Sequence, residues 1–92
     1  MASWKNREIF IDHKRNVDSE MIECGITTDD MVEILEKGVC PVKRKKGIIE
    51  KWKREGNKVI IVAIEDCTGY WLVRHVSRTT ATKKILRILR GE

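Results

Sequence analysis

The chain has 92 residues, 41% of them hydrophobic and 36% charged, with a formal net charge of +5, which is enough for one domain around one core and too little for two. The charge is unevenly divided: residues 1–40 carry five Lys and Arg against nine Asp and Glu, and residues 41–92 carry fourteen against five. A positive field confined to one half points to a polyanionic partner, RNA or DNA being the commonest, or to an acidic protein, and argues against an acidic binding module.

In chain order, Glu8 to Ile11 reads as a short strand, followed by Asp12 as an N-cap. The stretch Asp12 to Cys24 reads as one helix, because His13, Val17, Met21 and Cys24 recur at helical spacing and make one face. Gly25 ends it. Thr27 with Asp30 three residues later is a capping box for a second helix, whose apolar stripe is Met31, Ile34 and Leu35 and whose end is Lys37-Gly38, before Pro41.

The pattern then turns strand-like. Val42 to Lys46 is expected as a basic edge strand turned by Gly47. Ile48 to Glu55 alternates, with Ile48, Glu50, Trp52 and Arg54 on one face and Ile49, Lys51, Lys53 and Glu55 on the other. Gly56-Asn57 is a two-residue hairpin signal. Lys58 to Glu65 is apolar on both faces and should be the most buried strand. Cys67-Thr68-Gly69 makes a turn, and Tyr70 to Ser77 is a further strand. Thr79 or Thr80 then caps a C-terminal helix with Ile85, Leu86, Ile88 and Leu89 on one face and Lys83, Lys84, Arg87 and Arg90 on the rest. The expected architecture is α+β: two N-terminal helices, an antiparallel sheet of about four strands, and a C-terminal helix in a single domain over residues 1–92.

No apolar run approaches the roughly 20 residues needed to span a bilayer, the longest being Val59 to Ile64, and the opening MASWKNREIF has no apolar signal core. The three cysteines, Cys24, Cys40 and Cys67, form no CxxC pair. They read as reduced thiols in a cytoplasmic protein, and no metal site or cofactor is expected.

Four groups of residues bear on chemistry. Lys43, Arg44, Lys45 and Lys46 repel one another and need solvent or phosphates; they read either as a phosphate-contacting edge or as a lysine-protected one. Arg74, His75 and Arg78 combine a proton carrier with cations for a phosphate, the two needs of RNA cleavage by the 2′-hydroxyl, with Tyr70 on the Arg74 face; the plainer reading is a sheet histidine between surface arginines. Trp52, Trp71 and Tyr70 lie among basic strands that include Lys53 and Arg54, and read as base-stacking platforms or as core residues. His13, beside Lys14 and Arg15, shares the apolar helix face and reads as structural.

The element order, with the segments Cys24-Gly25-Ile26-Thr27 through Gly38, Val59 to Ile64 and Trp71 to Ser77, resembles small uncharacterised proteins of the RelE/ParE toxin superfamily. The resemblance covers roughly residues 8–78. Cys24 stands where the family often has Arg, His13 stands further from Gly25 than the family's leading His, and no Tyr follows Tyr70. The resemblance implies a RelE-like fold and, in some members, metal-independent cleavage of messenger RNA on the ribosome. The comparable residues here are Lys43, Lys45, Arg54, Arg74, His75 and Arg78. Arg74 and Lys45 would then hold the phosphate and His75 would move the proton. The expectation is a nucleic-acid-interacting protein, an endoribonuclease toxin in one form, with catalytic residues His75, Arg74 and Arg78 and a binding set of Lys43 to Lys46, Trp52, Lys53 and Arg54. The alternative is a non-enzymatic module that binds an acidic antitoxin-like protein or pairs with itself; either way the chain is a monomer or homodimer without a membrane partner.

Overall fold

The computed structural model describes residues 3–40 and 47–89. The chain begins with a small hairpin, β1 (Ser3–Trp4) and β2 (Arg7–Ile11), closed by Lys5 and Asn6 at φ 50° and 63°. A 3-10 turn (His13–Arg15) leads to α1 (Val17–Cys24) and α2 (Thr28–Lys37). Then come β3 (Ile48–Glu55), β4 (Lys58–Cys67), β5 (Tyr70–Thr80) and α3 (Lys83–Leu89). The expected edge strand Val42 to Lys46 lies outside the described residues.

The α+β class is as expected, but the sheet is not purely antiparallel. Among the described residues it has five strands in the order β1-β2-β5-β4-β3, and β2 runs parallel to β5, pairing Glu8 with Tyr70 through Ile11 with Val73. The crossover that a parallel pair requires is supplied by everything between β2 and β5. The sheet curls, so that Lys51 on one edge strand brings its ammonium within 5.8 Å of the Trp4 ring on the other. β4 pairs on both sides and has the apolar Val59, Ile60, Val62, Ala63 and Ile64 all buried, as its two-sided apolar sequence demands.

The helix expected over Asp12–Cys24 is two pieces. Asp12 accepts from Lys14 N–H at 3.2 Å and caps the 3-10 turn, and Asn16 adopts the left-handed region at φ 57°. Asn enters that region more readily than most residues. The break releases His13 from the Val17 and Met21 face: its side chain is 76% exposed, while Val17, Met21 and Cys24 are buried. α1 ends in a Schellman cap, with Gly25 at φ 69° and Ile26 N–H donating to Met21 carbonyl at 3.0 Å. α2 opens on the expected capping box, Thr27 Oγ1 accepting from Asp30 N–H and Asp30 Oδ2 from Thr27 N–H.

α1 and α2 bury Val17, Met21, Met31, Ile34 and Leu35 against Ile60, Val62, Ile64, Val73 and Val76. Each such side chain contributes about 1.5–3 kcal/mol on burial. Trp4 belongs to this core: its ring lies 5.2 Å from that of Trp71, and its carbonyl accepts from Trp71 Nε1 at 3.0 Å. α2 stops at Gly38, whose amide bonds Ile34 carbonyl at 2.8 Å. Val39 then exchanges two hydrogen bonds with Trp52 and covers part of the β3 edge. The C-terminal helix starts later than expected. Thr79 and Thr80 stay in β5, and Thr82 is the residue whose hydroxyl accepts from Ile85 N–H at 3.2 Å.

Candidate functional site

The strand β5 does not alternate regularly through Arg74 and His75. Opposite it, Ile64 pairs with Val73 and Ala63 with His75, so Arg74 is the extra residue of a bulge. The bulge resets the faces: Val73 and Val76 are both buried, and Val76 does not share the Arg74 side as simple alternation requires. It also re-aims the polar side chains around it, and leaves Arg74 Nε buried without a hydrogen bond.

The Arg74 guanidinium is held by two carboxylates. Nη1 donates to Glu65 of β4, and Nε lies 3.4 Å from Asp12 at the end of β2. His75 Nδ1 lies 2.9 Å from Glu20 Oε2 on α1. The other oxygen of Glu20 accepts from Val76 N–H at 3.2 Å. One carboxylate therefore ties α1 to β5 where β2 has ended, and it satisfies a backbone donor of the strand. Arg78 Nη2 donates at 2.7 Å to the carbonyl of Cys24, at the C-terminal end of α1, where a cation meets the negative end of the helix. Tyr70, expected beside Arg74, instead stacks edge-on against Phe10 with centroids 5.4 Å apart. A hydrogen bond with the Cys67 side chain holds its phenol above the ordinary range.

Arg74, His75 and Arg78 thus turn to three different partners. A phosphate at His75 would compete with Glu20 for the imidazole and would find Arg74 already bound to two carboxylates and Arg78 to a carbonyl. The arrangement ties elements together, and among the described residues it offers no pair of open cations beside a proton carrier.

The binding set divides. Lys43, Arg44, Lys45 and Lys46 lie outside the described residues. Trp52 is buried and donates its Nε1 to Glu50 Oε1 at 2.6 Å. Lys53 is half-buried between Glu33 at 3.8 Å and Glu55 at 3.5 Å. Arg54 is exposed, and its Nε donates to Gly56 carbonyl at 2.8 Å. Trp71 is core, with Trp4 beside one part of the ring and the Arg7 guanidinium 3.7 Å from its centroid, so it is no stacking platform.

Of the cations that the fold leaves without a carboxylate at the β3–β4 turn and α3, sequence reasoning singled out Arg54 alone. Among the described residues, nine Lys and Arg stand in no ion pair: Lys5 and Lys51 lie over the Trp4 ring, Arg78 holds the Cys24 carbonyl, Lys14 is exposed on the 3-10 turn, and the rest are Arg54, Lys58, Lys83, Lys84 and Arg87. These last five gather at one end of the molecule. Ala81 N–H donates to Asn57 carbonyl at 2.8 Å, and Lys58 Nζ to Thr80 Oγ1 at 3.1 Å, which sets the start of α3 beside the β3–β4 turn. Lys83 and Arg87, four residues apart on α3, share a face. That spacing was the available signal, and it was read only as the solvated side of an amphipathic helix.

Among the described residues no cluster of His, Cys, Asp and Glu could hold a metal ion, and no helix is long and apolar enough to cross a membrane. Set against family models, curated proteins and solved structures, the chain has no match.

Proposed function

We propose that this chain is a RelE-like nucleic-acid-binding protein that holds RNA through the cations of its C-terminal half without cutting it. The observation that carries the reading is a division among the cations. Arg74 and Arg78 are spent on Glu65, Asp12 and the Cys24 carbonyl, and the His75 imidazole sits against Glu20. Arg54, Lys58, Lys83, Lys84 and Arg87 have no carboxylate partner at the end formed by the β3–β4 turn and α3, where Arg54 meets the Gly56 carbonyl through Nε and Lys58 the Thr80 hydroxyl. Unpaired lysines and arginines on one end supply salt-dependent, sequence-independent attraction to phosphates. The run Lys43 to Lys46 precedes β3 in the sequence and adds four charges to the same half of the chain. The RelE-like assignment rests on the sequence pattern and element order. A cytoplasmic setting suits three cysteines of which none is in a disulfide. In this reading the ribosome or a free RNA is the partner, and no cofactor takes part.

The test is incubation with RNA in the presence of EDTA. Intact RNA that co-migrates with the protein supports the proposal. Metal-independent cutting that disappears in His75→Ala would overturn it in favour of an endoribonuclease toxin.

One observation favours a second reading, a protein-interaction module. Phe10 and Tyr70 are 46% and 38% exposed and stack on each other, with Leu72 opposite Phe10. Such a patch suits self-association or an antitoxin-like partner. Light scattering that reports a dimer in the wild type and a monomer in Phe10→Ser would support it.

A further inference from the structure

The end of α2, β3 and α3 enclose an open cavity of about 310 Å³. Its apolar wall is Val39, Trp52, Leu86 and Leu89, and its polar rim is Lys37, Lys53 and Arg54. No acid lines it among the described residues. The cavity exists because α3 stands off the sheet: Leu86 and Leu89 are only half-buried, and Val39 is 42% exposed. Apolar surface facing water in a concave site favours a ligand that covers it, and the volume is at the small end of the range for small-molecule sites, about 300–1,000 Å³.

The rim decides the ligand's charge. Lys37 and Lys53 share Glu33 at 3.5 and 3.8 Å, and Lys53 also meets Glu55, so their charge is largely offset. Arg54 has no carboxylate partner, and only its Nε is engaged, on the Gly56 carbonyl. Its two Nη groups form the fork that matches a carboxylate with two parallel hydrogen bonds. Trp52 has already donated its indole N–H to Glu50, so it brings no unpaired donor into the cavity. We propose that this cavity binds a small amphipathic carboxylate, with its apolar body against Trp52, Leu86 and Leu89 and its carboxylate on Arg54. A ligand so placed bridges α3 and β3 and fastens the helix to the sheet. The site shares Arg54 with the end proposed to hold RNA, and the titration without RNA tests it apart from that reading.

The experiment is a titration of the full chain, followed by ¹H–¹⁵N NMR, with decanoate below its micelle threshold and with decanol. The expected result is a saturable shift of the Trp52 indole N–H and the Arg54 Nε–H with decanoate, accompanied by a higher melting temperature. Arg54→Gln should weaken decanoate by about tenfold or more, the worth of a charge-assisted bond. Arg54→Lys should fall between, and circular dichroism should show both variants folded. Decanol bound as tightly as decanoate, an unchanged affinity in Arg54→Gln, shifts centred on Phe10 and Tyr70, or no saturable shift at all would each overturn the proposal.

Discussion

Single atoms decide several features of this fold. At Gly38 a Cβ would stand 2.4 Å from Ile34 oxygen and 3.0 Å from Trp52 oxygen, both backbone atoms that hold the end of α2 against β3. Gly38→Ala should therefore cost about 1–3 kcal/mol by forcing the two elements apart; urea unfolding measures it, and an unchanged midpoint would refute the contact. Cys24 illustrates a different control. Burial pushes its thiol above the ordinary value, Glu20 and Glu23 add to the shift, and Arg78 opposes it. The folded state thus binds the thiol proton more tightly than the unfolded state. Its contribution is complete at neutral pH and is lost as the pH climbs past about 8.5, where an unfolded thiol ionises. A thiol reagent at pH 8 should modify exposed Cys40 readily and Cys24 only at the rate of unfolding. Equal rates at the two positions would contradict the burial of Cys24.

At the scale of elements, what was legible in the sequence was local. Thr27 with Asp30, Gly25, the Ile48 to Glu55 alternation and the Gly56-Asn57 turn each act within a few residues, and each forms as read. What escaped was set by partners far along the chain. Trp4 looks like part of a ragged terminus until Trp71, 67 residues away, donates to its carbonyl. The parallel β2–β5 pair depends on the same distant strand, and the bulge at Arg74 leaves no mark in the alternation of β5. The site readings failed to separate for the same reason, since Glu20, Asp12 and Glu65 become partners of His75 and Arg74 only when α1, β2 and β4 meet β5. Trp4→Ala should cost about 3–5 kcal/mol and redden the Trp71 emission, whereas a disordered terminus would make it silent. Asn16→Val, forcing a β-branched residue into the left-handed break between the 3-10 turn and α1, should cost about 1–2 kcal/mol, with Asn16→Gly tolerated.

Across the whole molecule the two halves divide the work of charge. The acidic first 40 residues supply Asp12 and Glu20 to Arg74 and His75 of β5, and the pairing turns both into fasteners between layers. Five further cations without an acid partner, Arg54, Lys58, Lys83, Lys84 and Arg87, sit together at the β3–β4 turn and on α3. That end is the one we propose to meet RNA. The most direct measurement is fluorescence anisotropy of a labelled single-stranded RNA titrated with the protein across a salt series. Removing four of the proposed phosphate contacts in Lys58→Gln, Lys83→Gln, Lys84→Gln and Arg87→Gln combined should flatten the slope of log affinity against log salt by about 3, and His75→Gln should leave it unchanged. Equal slopes in the wild type and the fourfold variant, or a loss of binding in His75→Gln alone, would contradict the division of charge described above.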